Sequence, residues 1–78
     1  MLQQNETELI NLMMDHGMSK ALSIRAAQGL RSTARDKMIQ YLKETDSTDP
    51  KEIKKLLNKA AGYPEETKWL DGDGNEIE

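Results

Sequence analysis

His16 is the one histidine of the chain, and Ser19 lies three residues after it. A histidine base beside a hydroxyl nucleophile is the beginning of a hydrolytic site, which also needs a group to orient the histidine and N–H donors for an oxyanion. No glycine-rich segment near Ser19 supplies those donors. The simpler expectation places His16 at the C-terminal end of a helix, where an imidazole meets exposed carbonyl groups. Asp71, Asp73 and Asn75 repeat the spacing of positions 1, 3 and 5 of a calcium-binding loop, but Glu76 occupies the position that needs glycine. The sequence ends at Glu78 before a position-12 glutamate. Neither GxGxxG nor GxxxxGK[ST] occurs, so no phosphate-cradling loop is expected. With no cysteine, a disulfide framework, a cysteine-ligated zinc site and a thiol nucleophile are all excluded. No catalytic residue, metal site or cofactor is expected, and the chain reads as non-enzymatic.

These residues are positioned by elements whose boundaries can be read from local chemistry. Asn5 followed by Glu8 has the capping-box spacing, which starts a first helix over about residues 6–15, and Gly17 supplies a left-handed stop. Its apolar positions are Leu9, Ile10, Leu12, Met13 and Met14, with Met13 and Met14 expected in the core. Ser19 caps a second helix over 20–28, carrying Leu22 and Ala26 and stopped by Gly29. A third helix, begun by Ser32 or Thr33 and spanning about 33–43, carries Ala34, Met38, Ile39, Tyr41 and Leu42 at spacings of three and four. Asp49-Pro50-Lys51-Glu52 starts a fourth over 50–61, with Asp49 as N-cap and Pro50 where its missing N–H costs nothing. Ile53, Leu56, Leu57 and Ala60 form its stripe, and Gly62 ends it. The division is then a single helical domain over 1–62 and an acidic tail over 63–78, flexible or hairpin-like through the turn formers Asp71-Gly72 and Gly74-Asn75. Trp69, the one tryptophan, is expected to anchor on the bundle.

Size and charge bound the functions. Seventy-eight residues with 36% hydrophobic content make one small domain, and such a chain buries roughly 60–65% of its unfolded surface. Little apolar material is left to line a deep pocket. The N-terminus shows no basic segment followed by an apolar run, and no stretch approaches the roughly 18 uncharged residues of a membrane span. A cytoplasmic location with no membrane contact is expected. The net charge of −3 hides an asymmetry, because residues 16–43 carry six cations against Asp36 alone while both flanks are acidic. An anionic partner at the middle segment is therefore compatible with an acidic chain. Met18, between Gly17 and the Ser19 cap, is expected to be only partly buried.

The run Ile10-Asn11-Leu12-Met13-Met14-Asp15-His16-Gly17-Met18-Ser19, with Ile24-Arg25-Ala26-Ala27 and Met38-Ile39-Gln40-Tyr41-Leu42, resembles a ubiquitin-associated (UBA) domain over residues 6–43. The chain departs from that pattern at His16, where the family has methionine, at Met18, where it has an aromatic, and at Lys43, where a second leucine often sits. The resemblance implies an all-α fold: a compact three-helix bundle, here with a fourth C-terminal helix and the tail. It also implies a noncovalent protein-binding module whose contact patch is the loop His16, Gly17 and Met18 with Tyr41 and Leu42 at the end of the third helix. The partner is another protein, not identified by the resemblance.

A helix-turn-helix is the alternative, with the second helix, a turn at Gly29-Leu30, and the third helix as the reading helix. Lys20, Arg31, Arg35 and Lys37 would then contact nucleic acid. In that register Arg25 stands where the motif takes a small residue and Arg35 where it takes an apolar one. A charge buried there without a partner costs several kcal/mol, on the order of 3–5. A monomer would also need more basic charge or a second subunit to bind DNA usefully.

Overall fold

A computed structural model describes residues 4–77; residues 1–3 and 78, which the expected domain and tail include, lie outside the described residues. The fold is an all-α bundle of four helices, α1 (Gln4–Asp15), α2 (Lys20–Gly29), α3 (Ser32–Glu44) and α4 (Pro50–Ala61). α1 packs on α2 and α3, and α4 packs on α3. No helix among the described residues is long and apolar enough to cross a membrane.

Local chemistry sets most helix ends. Ser19 Oγ accepts from Leu22 N at 3.1 Å to start α2, and Asp49 Oδ1 accepts from Lys51 N at 3.0 Å to start α4. α1 ends in a Schellman motif: Gly17 takes φ +84°, its N–H bonds Met14 O, and Met18 N–H bonds Met13 O. Met18, at the position where this motif usually carries an apolar contact, joins Met13 in the core and is buried rather than half-open. α4 stops the same way at Gly62, φ +77°, with Tyr63 N bonded to Asn58 O.

Two sequence expectations about ends are corrected. Asn5 lies inside α1 and caps nothing there; its amide donates to Ser32 O, Ser32 Oγ and Asp36 Oδ1, tying α1 to the first turn of α3. Ser32, engaged in this way, is the first residue of α3 behind Arg31, which makes no side-chain cap. Gly29 is not a left-handed stop either, since it remains within α2. It is small for another reason. A Cβ at this position would run into the Arg25 guanidinium and lie 3.3 Å from the Trp69 ring.

The core is assembled from one stripe per helix. Leu9 and Met13 of α1, Leu22 and Ala26 of α2, Met38 and Leu42 of α3, and Ile53 and Leu57 of α4 are all buried. The i, i+4 pair Leu9 and Met13 faces the bundle, which turns Met14 outward at 44% exposure, against the expectation that it is core. Residues 63–77 continue onto this core. Trp69 is 4% exposed and donates its indole N–H to Asn58 Oδ1 at 2.8 Å. The Asn58 amide in turn donates to Glu65 O and Thr67 O, each at 2.9 Å. A fully buried asparagine thus has its oxygen and its NH2 used, and binds the segment after α4 to α4 itself. Beyond Trp69 the chain forms the hairpin-like alternative: Leu70 bridges Glu76 antiparallel, and Ile77 N bonds Trp69 O at 2.9 Å.

Because Asn58 links two carbonyls and the indole, its loss leaves the buried indole N–H and two part-buried carbonyls short of a partner. Asn58→Ala is expected to lower stability by about 2–4 kcal/mol and Trp69→Ala by about 3–5 kcal/mol. Urea denaturation followed by circular dichroism measures both. In Asn58→Ala the tryptophan emission should also shift to the red as the indole gains water.

Candidate functional site

The loop after α1 and the end of α3 do come together. His16 presents Nε2 to Leu42 O at 2.9 Å and Nδ1 to Ser47 O at 2.7 Å. Leu42 lies in the last turn of α3, so the imidazole serves the carbonyl end of α3 rather than that of its own helix. An imidazole with N–H at both nitrogens satisfies both carbonyls; with one N–H it satisfies one. The same loop crosses Gly17, where a Cβ would meet Thr48 Cβ at 3.8 Å. The connection between α3 and α4 therefore lies against the loop that the sequence singles out.

That cover changes what the five residues present. Met18 and Leu42 are buried, at 6% and 2% exposure, and belong to the core. His16 is half-buried with both nitrogens committed. Tyr41 is half-buried and packs on the core from outside, with the Lys59 ammonium 5.3 Å from its ring centre. Of the patch, Tyr41 offers the most accessible apolar surface, and it looks away from the loop toward α4.

The basic residues divide as sharply. Lys20, Arg31 and Lys37 are exposed, whereas Arg35 is 5% exposed. Arg35 Nη1 donates to Ala27 O at 2.9 Å and Leu30 O at 2.8 Å, and Nε donates to Asn5 Oδ1 at 3.0 Å. Glu6 Oε1 stands 3.4 Å from Nη1. Arg35 is thus a structural residue that holds the end of α2 to α1 and α3, not a surface contact for nucleic acid. It occupies the apolar position the helix-turn-helix register assigns it, and its charge is paired. Arg31 and Lys37 line one depression of about 280 Å3 with Thr33 and Tyr63, and Lys20 is not in its wall.

The surface that sequence reasoning missed lies between α3 and α4. Tyr41 and Leu56 floor a depression of about 530 Å3 rimmed by Glu44, Glu52, Lys55 and Lys59. A second of about 410 Å3 shares Lys55, Leu56 and Lys59 and runs on to Tyr63. The signal lies in the α4 pattern: the sequence puts Leu56 in the buried stripe, but Asn58 takes a core position and Leu56 is left half-buried at the groove. At the far end of the chain, Asp71 Oδ1 accepts from Asp73 N and Asn75 N, so one oxygen of the calcium-like sequence builds its own turn. Among the described residues no group of three or more His, Asp or Glu side chains is gathered around a metal-sized site, and no buried side-chain polar atom lacks a hydrogen bond.

No protein-family model matches the chain, and no curated protein or solved structure matches it either.

The two-carbonyl contact of His16 is a test of this geometry. His16→Ala removes a partner from the Leu42 and Ser47 carbonyls and is expected to cost about 1–3 kcal/mol. Amide hydrogen exchange should quicken in residues 45–49 before it does in the helices.

Proposed function

We propose that the chain is a non-enzymatic protein-binding module that takes an amphipathic helix of its partner into the α3–α4 groove. The observation that supports this most is the groove itself, where Tyr41 and Leu56 both remain partly open between two helices and line the same depression. In so small a domain apolar surface left open is more informative than in a large one, because it was available for the core. A groove between two helices fits a third helix laid along it, apolar side chains inward at a spacing of three and four. The rim carries both signs, Lys55 and Lys59 with Glu44 and Glu52, so a partner helix with opposite charges flanking its apolar stripe is oriented as well as held.

This keeps the noncovalent role implied by the UBA resemblance and moves the contact surface. The His16, Gly17 and Met18 loop supports the groove from behind instead of forming it, since His16 fixes the carbonyl end of α3 that carries Tyr41. A cytoplasmic setting goes with this reading.

Leu56→Asp places a charge on the groove floor at a half-buried position. Amphipathic helical peptides selected from a displayed library against the wild-type chain are expected to shift the amides of Tyr41, Leu56 and Lys59. They should bind Leu56→Asp at least about tenfold more weakly, the equivalent of ~1.4 kcal/mol, with the fold unchanged by circular dichroism. Selected peptides that leave those amides unmoved would contradict the reading. Shifts of Lys20, Arg31 and Lys37 by short duplex DNA, vanishing with salt, would favour the helix-turn-helix alternative instead.

A further inference from the structure

Two depressions adjoin at Gly29 and Tyr63. One, of about 280 Å3, has Arg31 and Lys37 in its wall, and the other, of about 200 Å3, has Arg25, Lys68 and Leu70. Neither wall contains a carboxylate, although the chain carries fourteen acids. The four cations make no ion pair among the described residues, whereas Arg35, Lys43, Lys54 and Lys55 each have a carboxylate partner. Asp36, beside Lys37 in sequence, is turned toward α1, where it accepts from Asn5, and Glu65 is paired with Lys55. Glu66 and Asp71 are exposed but line neither depression. Arg25 is fixed in place without being neutralised: its Nε donates to Leu70 O at 3.1 Å, its guanidinium lies 5.7 Å from the Trp69 ring centre, and its Nη1 lies against Gly29. Tyr63, common to both walls, has its ring centre 6.0 Å from that of Trp69 and is still 47% exposed.

Cations without partners around an open aromatic ring fit a ligand that alternates phosphates with flat bases. We propose that this face binds single-stranded nucleic acid. One base stacks on Tyr63, and the phosphates flanking it reach the cations of the two depressions. Leu70, 42% exposed, offers apolar surface to a neighbouring base. An acidic peptide would use the cations but has no ring to set on Tyr63. A duplex fits less well, because its bases are already stacked on one another, Lys20 lies in neither wall, and Arg35 is buried. The net charge of −3 opposes binding only weakly, being screened over about 8 Å at physiological salt. This role is separate from the binding of a partner helix and does not rest on it: Tyr63 also borders the smaller depression of the α3–α4 groove, but Tyr41 and Leu56 lie outside this face.

Titration of the isotope-labelled chain with single-stranded oligothymidylate of about six nucleotides at low salt tests the proposal, with circular dichroism confirming that each variant folds. The amides of Gly29, Arg31, Tyr63 and Lys68 are expected to shift while those of Lys20, Tyr41 and Leu56 stay in place. Affinity should fall with salt, its logarithm dropping by about 0.7 per tenfold rise in salt for each phosphate held. Arg31→Gln/Lys37→Gln should weaken binding by about tenfold and flatten that dependence. Tyr63→Leu should weaken it by about tenfold with the salt dependence kept, and Tyr63→Phe should bind like the wild type. No shift at low salt, undiminished binding by Tyr63→Leu, the same shifts with polyglutamate of equal length, or a duplex of equal length that binds as tightly would each overturn it.

Discussion

The bundle depends on a guanidinium taken out of water. Arg35 is buried on the inner face of α3 with Met38, Ile39 and Leu42, where a charge without partners would cost a large share of the stability of a domain of this size. Its partners come from three places: Asn5 and Glu6 on α1, Ala27 in the last turns of α2, and Leu30 in the two-residue connection to α3. The carbonyls at the end of α2 are the groups a helix leaves unpaired, so one side chain satisfies them and fixes how α2 turns into α3. Asn5 closes the arrangement by accepting from Arg35 and donating to Ser32 and Asp36. The three-helix portion is held by polar bonds reaching across 27 to 31 residues of sequence as well as by its stripe of leucines and methionines.

The same device recurs wherever the small apolar core runs out. Asn58 binds the indole of Trp69 and two carbonyls of the following segment, and His16 binds a carbonyl of α3 and one of the α3–α4 connection. Each places a hydrogen-bonded polar side chain at a junction between elements. Two surfaces follow from these junctions. His16 and the α3–α4 connection set α4 against α3, which leaves the groove at Tyr41 and Leu56; Asn58 and Trp69 set the hairpin beside Gly29, which leaves Tyr63 and Leu70 exposed.

What the sequence made legible were features written within one helical turn. Ser19 and Asp49 start helices through bonds to the third and second residues after them, and Gly17 and Gly62, each with the residue that follows, stop helices through bonds three and five residues back. The spacing 35, 38, 39, 42 also marks the inner stripe of α3, yet Arg35 reads as a surface cation because residue type alone suggests exposure. Asn5 reads as a cap and Gly29 as a stop for the same reason: both have a common local use, and here each is set by a residue distant in sequence. His16 does reach Leu42, which the sequence pairs with it, but a sequence window ending at α3 could not show the 45–49 connection lying against the loop. The groove depends on which of Leu56 and Asn58 turns inward, a choice made by the segment carrying Trp69.

The dependence of the bundle on Arg35 is tested most directly by equilibrium urea denaturation of Arg35→Lys. Lysine keeps the charge and most of the length but cannot direct separate N–H groups to Asn5, Ala27 and Leu30 at once. A loss of about 3 kcal/mol or more is expected, a large share of the total stability of such a domain. Stability within about 0.5 kcal/mol of the wild type, the range of an ordinary surface substitution, would contradict a buried, fork-like role for Arg35.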